Sequence, residues 1–165
     1  MTMMRTIASL ALALLFAGCA GGGAPSPATA PAATARGELR ITVDPNPIVA
    51  YPVGDRYDFP FTIALRETGG SSVTVDRVGI DVLALGGLKV HSEELGAAEI
   101  ERRGYPRTVA ANGEIRYSLT PRKQVPDERL FGSVWGELWA EGTDAAGNPV
   151  STRTRVTIRK GSGAE

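Results

Sequence analysis

The segment WGELWAEGTDAAGN, from Trp135 to Asn148, holds both tryptophans of the chain. Side chains two residues apart in a strand point to the same face, so two tryptophans and two glutamates would share one row. This tryptophan row consists of Trp135, Glu137, Trp139 and Glu141. An exposed aromatic pair flanked by carboxylates can stack sugars or contact a protein partner. The row is therefore the candidate binding face.

The next segment, VSTRTRVTIRK, predicts a strand that places arginines opposite the row. The predicted pairs are Glu141 with Arg153, Trp139 with Arg155, and Trp135 with Arg159. The row is predicted to face outward, because the opposite facing would bury Glu137 without a partner. Two interpretations stay open. In the first, the face, together with Arg153 and Arg155, is free to bind a ligand. In the second, its side chains pair with one another in a surface ladder, or the N-terminal segment covers that ladder.

The remaining reactive side chains do not form a recognisable catalytic or metal site. Asp144 and Asn148 offer oxygen ligands of the kind Ca²⁺ prefers, but the same residue types build tight turns. His91 is the single histidine and Cys19 the single cysteine, which disfavours multi-histidine metal sites and a Cys/His pair. No nucleophile-elbow, zinc-protease or phosphate-binding motif occurs. The sequence therefore predicts no catalytic residue, no metal, no cofactor and no enzyme activity.

The N-terminus MTMMRTIASLALALLFAGCAGGG carries a positive residue, Arg5, and then an apolar run that ends in small residues before Cys19. A run this short is typical of a secretory signal, since a membrane span needs roughly 20 apolar residues. FAGC resembles the lipobox of bacterial lipoproteins. The resemblance implies a signal peptide over 1–18, cleavage before Cys19, and lipid (palmitate among it) on the Cys19 thiol. The expected location is the bacterial cell envelope, with the outer membrane favoured if the cell has one, because Ala20 follows the cysteine.

Residues 19–37 continue as a linker of Ala, Gly, Pro, Ser and Thr, which cannot bury a core and is expected to be disordered. Fully extended, such a linker would reach roughly 55 Å and hold a domain away from the membrane. Residues 38–160 are long enough for one hydrophobic core, and 161–165 are expected to fray. The chain has 18 basic and 18 acidic residues, so no strong field attracts nucleic acid.

Alternating apolar residues predict short strands in 38–160, as in ELRITVD, YDFPFTIALRE and GEIRYSLT. The prolines of PNPIVAYPV indicate an edge segment or a switch between sheets. VTVDRVGIDVLAL predicts a strand that breaks near Gly79, and SEELGAAEIERRG (92–104) predicts a short helix. Strands separated by Gly, Pro and Asn turns favour an all-β, antiparallel sandwich.

The segments IALRETGGSSVTV, RTVAANGEIRYSL and GTDAAGNPV resemble exported bacterial immunoglobulin-like domains without a disulfide. This resemblance implies an immunoglobulin-like β-sandwich and leaves the function open, since such domains host many. The first functional hypothesis is a lipid-anchored envelope protein whose non-catalytic domain makes structural contacts or binds another envelope protein. The second is a carbohydrate- or small-ligand-binding lipoprotein that uses the tryptophan row, and the third is a hydrolase with a site built on loops.

Overall fold

Eleven strands and one α-helix are found in residues 35–162, the part of the chain that the computed structural model describes. The strands are β1 (Leu39–Asp44), β2 (Ile48–Val53), β3 (Arg56–Asp58), β4 (Phe61–Glu67), β5 (Val73–Leu83), β6 (Lys89–Gly96), β7 (Thr108–Val109), β8 (Glu114–Leu119), β9 (Arg122–Lys123), β10 (Trp135–Asp144) and β11 (Pro149–Lys160). The helix is α1 (Ala97–Arg102), and two 3₁₀ helices span Leu85–Gly87 and Glu128–Gly132. The described chain is thus mostly β with one short helix, as the sequence predicts.

The strands form two sheets. A small antiparallel sheet has the order β1-β4-β8, and a large sheet has the order β6-β5-β10-β11-β2-β3-β9, with β7 paired to β5. All neighbours are antiparallel except β2 and β11, which are parallel. The purely antiparallel prediction was therefore wrong in this one pair. The large sheet curls until its two terminal strands are joined by an ion pair of 2.8 Å between Glu93 on β6 and Lys123 on β9.

The parallel pair exists because the chain changes sheets at the PNP sequence. Strand β1 pairs with β4 in the small sheet, and after three intervening residues β2 begins beside β11 in the large sheet. Pro45 and Pro47 have no backbone N–H to contribute to a ladder, which favours leaving one sheet here. The structure confirms the switch that these prolines indicate.

The core lies between the sheets, and period-two alternation selects its members. On β4, Ile63 and Leu65 are buried, and Tyr117 on β8 is buried beside them. Facing them from the large sheet are Val78 and Leu138. Burial of these side chains supplies the main favourable free energy of folding, at roughly 25 cal/mol per Å² of apolar surface.

Two segments differ from their predictions. Strand β5 continues through Gly79 without a break, because it has β10 on one side and β6 on the other. The predicted helix over 92–104 is confirmed only from Ala97 to Arg102, where Ile100 is buried. Residues 92–96 instead extend β6, because they pair with β5 from Arg77 to Asp81.

Candidate functional site

The tryptophan row faces away from the core, as predicted. On β10, Leu138 and Ala140 are buried in the core, while the row occupies the alternate positions. Trp135, Glu137 and Glu141 are partly exposed, but only 8% of Trp139 is exposed. The tryptophan row thus lies on the outer face of the large sheet, and the ring of Trp139 is already covered by other side chains.

The arginines opposite the row stand two positions away from their predicted places. Trp139 lies opposite Arg153, Glu137 opposite Arg155, and Trp135 opposite Thr157. The cause is a shorter loop, because the N–H of Asp144 donates to the Asn148 carbonyl and closes the hairpin there. A shift of two residues keeps every side chain on its predicted face, which is why the facing was right and the partners were wrong.

Trp139 is covered by a neighbouring strand that the sequence prediction did not pair with it. It lies opposite Gly79 of β5, and a Cβ added to Gly79 would approach the ring to 2.6 Å at Cε2. The guanidinium of Arg77 lies above the same ring, 5.6 Å from its centroid. Glycine is therefore needed at 79 to let the indole lie flat against the sheet.

The rest of the row is paired within the protein. Arg155 lies 4.2 Å from the centroid of the Trp135 ring. Glu137 accepts a hydrogen bond of 2.8 Å from Arg153, and Glu141 forms an ion pair of 2.7 Å with Arg77. These contacts place Arg153 and Arg155 on the row, as predicted. A sugar could stack on Trp135 only if Arg155 moved aside, so the face is arranged as a self-satisfied ladder.

Asp144 serves the turn of the hairpin. One carboxylate oxygen accepts from the N–H groups of Ala146 and Asn148, and the other accepts from the N–H of Gly37. The side-chain amide of Asn148 also donates to both oxygens, and it contributes most to a lowering of the pKa of Asp144 to about 2, followed by the backbone donors. Both oxygens point at N–H donors, an arrangement that suits a turn rather than a cation.

Glu67, which sequence reasoning did not single out, has no exposed surface. Its carboxylate accepts from four backbone N–H groups, those of Glu38, Gly69, Gly70 and Asn112. Burial alone would raise the pKa of Glu67, but these four donors outweigh it and lower the pKa to about 2. The ETGG and ANG turns are thus joined through one side chain. The signal in the sequence is a glutamate at an inward-facing position of β4, directly before a glycine turn.

An apolar cavity of about 350 Å³, which the sequence did not reveal, lies inside the curl of the large sheet. Aliphatic side chains from β2, β5 and β11 line it together with Phe59 and Phe61. Residues 124–134, here called the roof, contribute Leu130 and Phe131. A neighbouring cleft of about 250 Å³ shares part of this lining and is bordered by charged residues including Glu94, Arg103 and Arg122. The roof contains VPDERLFG, a segment that sequence alone would place either on the rim of a site or in a solvated connection.

The polar residues at the cavity are few and lie on one side. His91, Glu93, Lys123 and Gln124 line it there. Glu93 pairs with Lys123 at 2.8 Å and lies 3.9 Å from Nε2 of His91. His91 therefore stands at the edge of the cavity, beside a carboxylate that also pairs with Lys123.

Several predictions concern residues outside 35–162. The signal peptide 1–18, lipidation at Cys19 and most of the 19–37 linker lie there, and so does most of the 161–165 tail. At the described margins, Gly37 and Glu38 are hydrogen-bonded to Asp144 and Glu67, and Gly161 donates to the Ala50 carbonyl at 2.7 Å. Within the described range, no group of three or more His, Cys, Asp or Glu side chains is placed to hold a metal. No helix in that same range has the length and apolar character to cross a membrane.

No protein family model and no curated protein matches this chain. Among solved structures, the Northeast Structural Genomics Consortium target SoR45 is 15% identical, with a TM-score of 0.47 over 73% of this chain and 86% of that one. The Bordetella pertussis protein named ApaA is 14% identical, with a TM-score of 0.48 over 74% of this chain and 94% of that one. Spo0M, a sporulation control protein from Bacillus subtilis, is 9% identical with a TM-score of 0.34, and this chain spans 49% of it. Likenesses at these scores carry no argument about function.

Proposed function

We propose that this protein is a bacterial cell-envelope lipoprotein, anchored through Cys19, whose immunoglobulin-like domain binds another envelope protein without catalysis. The observation that carries the proposal is the contrast between the two ends of the domain. One end holds the start of the domain tightly by hydrogen bonds, and the other presents exposed apolar side chains.

The strand orders support an immunoglobulin-like fold. The small sheet β1-β4-β8 corresponds to the A-B-E strands of such a domain, and β5-β10-β11 corresponds to C-F-G. β6 would then be the additional C′ strand found beside C in variable-type domains. The switch of the N-terminal strand to pair with the last strand, β11, fits the same scheme. No disulfide joins the sheets, since the single cysteine is Cys19.

The end that holds the lead-in segment, residues 36–38, is fixed by two carboxylates. Asp144 binds the N–H of Gly37 at 3.1 Å, and Glu67 binds the N–H of Glu38 at 3.1 Å. The backbone of Arg36 also forms an isolated parallel β-bridge with that of Gly70. A linker that follows an envelope anchor would therefore join the domain at a firm point.

The opposite end lies about 30 Å away, the length of a ten-residue strand such as β10. There the β5–β6 hairpin exposes Leu85, Leu88 and Val90 by 80%, 67% and 51%. Tyr51 and Val53 are exposed at the same end, where β2 extends beyond the end of β11. Exposed apolar side chains at one end of a domain offer a surface for a protein contact.

A photo-crosslinking experiment in intact cells tests the contact. The photoreactive amino acid benzoylphenylalanine replaces Leu88, and in a control it replaces Thr42, which is exposed on β1 of the small sheet. We expect irradiation to join the Leu88 variant to one discrete partner, detected as a slower band on a denaturing gel. The Thr42 variant should give none. Equal bands from both positions, or none from Leu88, would contradict the proposal.

A further inference from the structure

The apolar cavity borders the proposed protein contact, since Val90 belongs to both, but its size calls for a separate explanation. Well-packed domains leave few apolar hollows of this size, and this one, which is partly open to solvent, measures about 350 Å³. Water gains little in such a space, because an apolar wall offers it no hydrogen bonds. Small-molecule pockets typically have volumes of roughly 300 to 1,000 Å³, so the cavity lies at the lower end of that range.

The roof over the cavity is fastened by polar contacts. Glu128, at the start of the 3₁₀ helix, accepts hydrogen bonds from the Tyr57 hydroxyl and from Nζ of Lys160, the latter at 2.6 Å. Phe131 packs edge-on against Tyr57 with a centroid distance of 5.0 Å, and lies 6.5 Å from Phe59. These contacts hold the roof in place on its outer side, while Leu130 and Phe131 line the cavity, which stays partly open to solvent.

The polar side of the cavity offers more hydrogen-bond donors than acceptors. Lys123 and Gln124 bring ammonium and amide N–H groups, and His91 brings an imidazole N–H. The one carboxylate there, Glu93, already accepts from Lys123. A guest that lies in this cavity would therefore present an oxygen acceptor to this side and an apolar body to the rest.

We propose that this cavity binds a single-chain fatty acyl group whose carboxylate or carbonyl oxygen lies beside Lys123. The volume suits one short chain rather than the two chains of a phospholipid. The acyl tail would lie among Phe59, Phe61 and Leu130, and each methylene transferred from water would strengthen binding about fourfold, which corresponds to about 0.8 kcal/mol. This binding does not rest on the protein contact proposed above, although Val90 borders both surfaces.

Dodecanoate carrying a diazirine at the end of its chain is the probe. The full chain is purified in the form the cell makes it, placed in lipid nanodiscs if it is membrane-bound, and irradiated with the probe. Mass spectrometry of the peptides then locates the adducts. We expect them in residues 80–82 and 124–134, which line the cavity.

Two matched variants distinguish cavity binding from surface adhesion. Val134→Trp fills the cavity and should abolish these adducts, whereas Val53→Trp makes the same change at an exposed position outside the lining and should keep them. Circular dichroism checks that both are folded. Adducts that persist in folded Val134→Trp, or that never occur on the lining peptides, would overturn the proposal.

The head-group preference gives a second measurement that does not depend on a bulky substitution. Unlabelled dodecanoate should compete with the probe about tenfold better than dodecylamine, because Lys123 favours an acceptor oxygen. Lys123→Gln should reduce that ratio several-fold. If the preference for dodecanoate over dodecylamine stays unchanged in Lys123→Gln, the oxygen of the ligand does not lie beside Lys123. If the protein prefers dodecylamine, the ligand is not a fatty acid.

Discussion

Glu67 is a carboxylate with no exposed surface and four N–H partners drawn from three separate parts of the chain. A buried ionised group is tolerated only where such donors replace water. The sequence could indicate the two glycine turns, since their residue types are local signals. It could not indicate that one side chain joins them, because that contact depends on how β4 and β8 pair.

This arrangement predicts an acid-sensitive stability. The pKa of Glu67 falls from its ordinary 4.5 to about 2 in the folded protein. A carboxyl with a depressed folded pKa stabilises the fold fully above its unfolded pKa, and the contribution is lost as the pH falls through the folded pKa. The free energy of unfolding should therefore decrease between about pH 5 and pH 2, as measured by urea denaturation. Asp144, whose pKa is also about 2, acts in the same direction.

Replacement of the carboxylate separates Glu67 from the other acids. Glu67→Gln should lower the free energy of unfolding at pH 7 by about 3 kcal/mol, because the amide NH₂ opposes buried N–H groups that need an acceptor. Its loss of stability on acidification should also be smaller than in the wild type. Glu114→Gln is the control, since Glu114 pairs with exposed Arg116 and should cost less than about 1 kcal/mol. Equal costs for the two variants would contradict the role given to Glu67.

At the scale of strands, the β10–β11 hairpin shows what alternation can and cannot determine. The facing of Leu138 and Trp139 followed from the period of two. The partners did not, because loop length sets the register, and a closure at Asp144 and Asn148 moves every pair by two. The neighbour on the other side of β10 was also unpredictable, since β5 lies more than 50 residues earlier in the chain.

That neighbour predicts a stability effect at Gly79. A Cβ there would lie 2.6 Å from Cε2 of Trp139 and 2.8 Å from the Glu93 carbonyl oxygen, so the ring or the strand must move. Gly79→Ala should destabilise the fold by about 1 to 3 kcal/mol, as overpacking does, and should shift tryptophan fluorescence to longer wavelength. Gly132→Ala, where a Cβ meets nothing within 4 Å and the backbone is not left-handed, should leave stability unchanged or raise it by less than about 1 kcal/mol. A Gly79→Ala protein that melts with the wild type would mean that the Trp139 ring lies elsewhere.

For the whole molecule, the two sheets of short strands followed from alternation, since YDFPFTIALRE and GEIRYSLT set Leu65 and Tyr117 in apolar rows that the structure buries. The cavity did not follow, because it results from the curl that brings β6 and β9 together at Glu93 and Lys123. Those residues are far apart in sequence and ordinary in type. The proposed roles of the two ends, attachment at Glu38 and an apolar protein contact at Leu88, likewise depend on pairing between strands that are distant in the sequence.

The proposed arrangement of the two ends assumes that the protein is attached to the membrane, and replacing the Cys19 thiol tests that assumption. If Cys19 carries the lipid, Cys19→Ser should move the protein from the membrane fraction to the soluble fraction. Each buried methylene contributes about 0.8 kcal/mol, so only two or three acyl chains hold a protein firmly. The double variant Cys19→Ser, Ser26→Cys restores a thiol outside the FAGC motif and should stay soluble, which separates lipidation from mere possession of a cysteine. Labelling with an alkyne analogue of palmitate should mark the wild type and neither variant. Unchanged membrane association of Cys19→Ser would disprove the anchor, but the acid sensitivity through Glu67 and the cavity would remain to be judged on their own measurements.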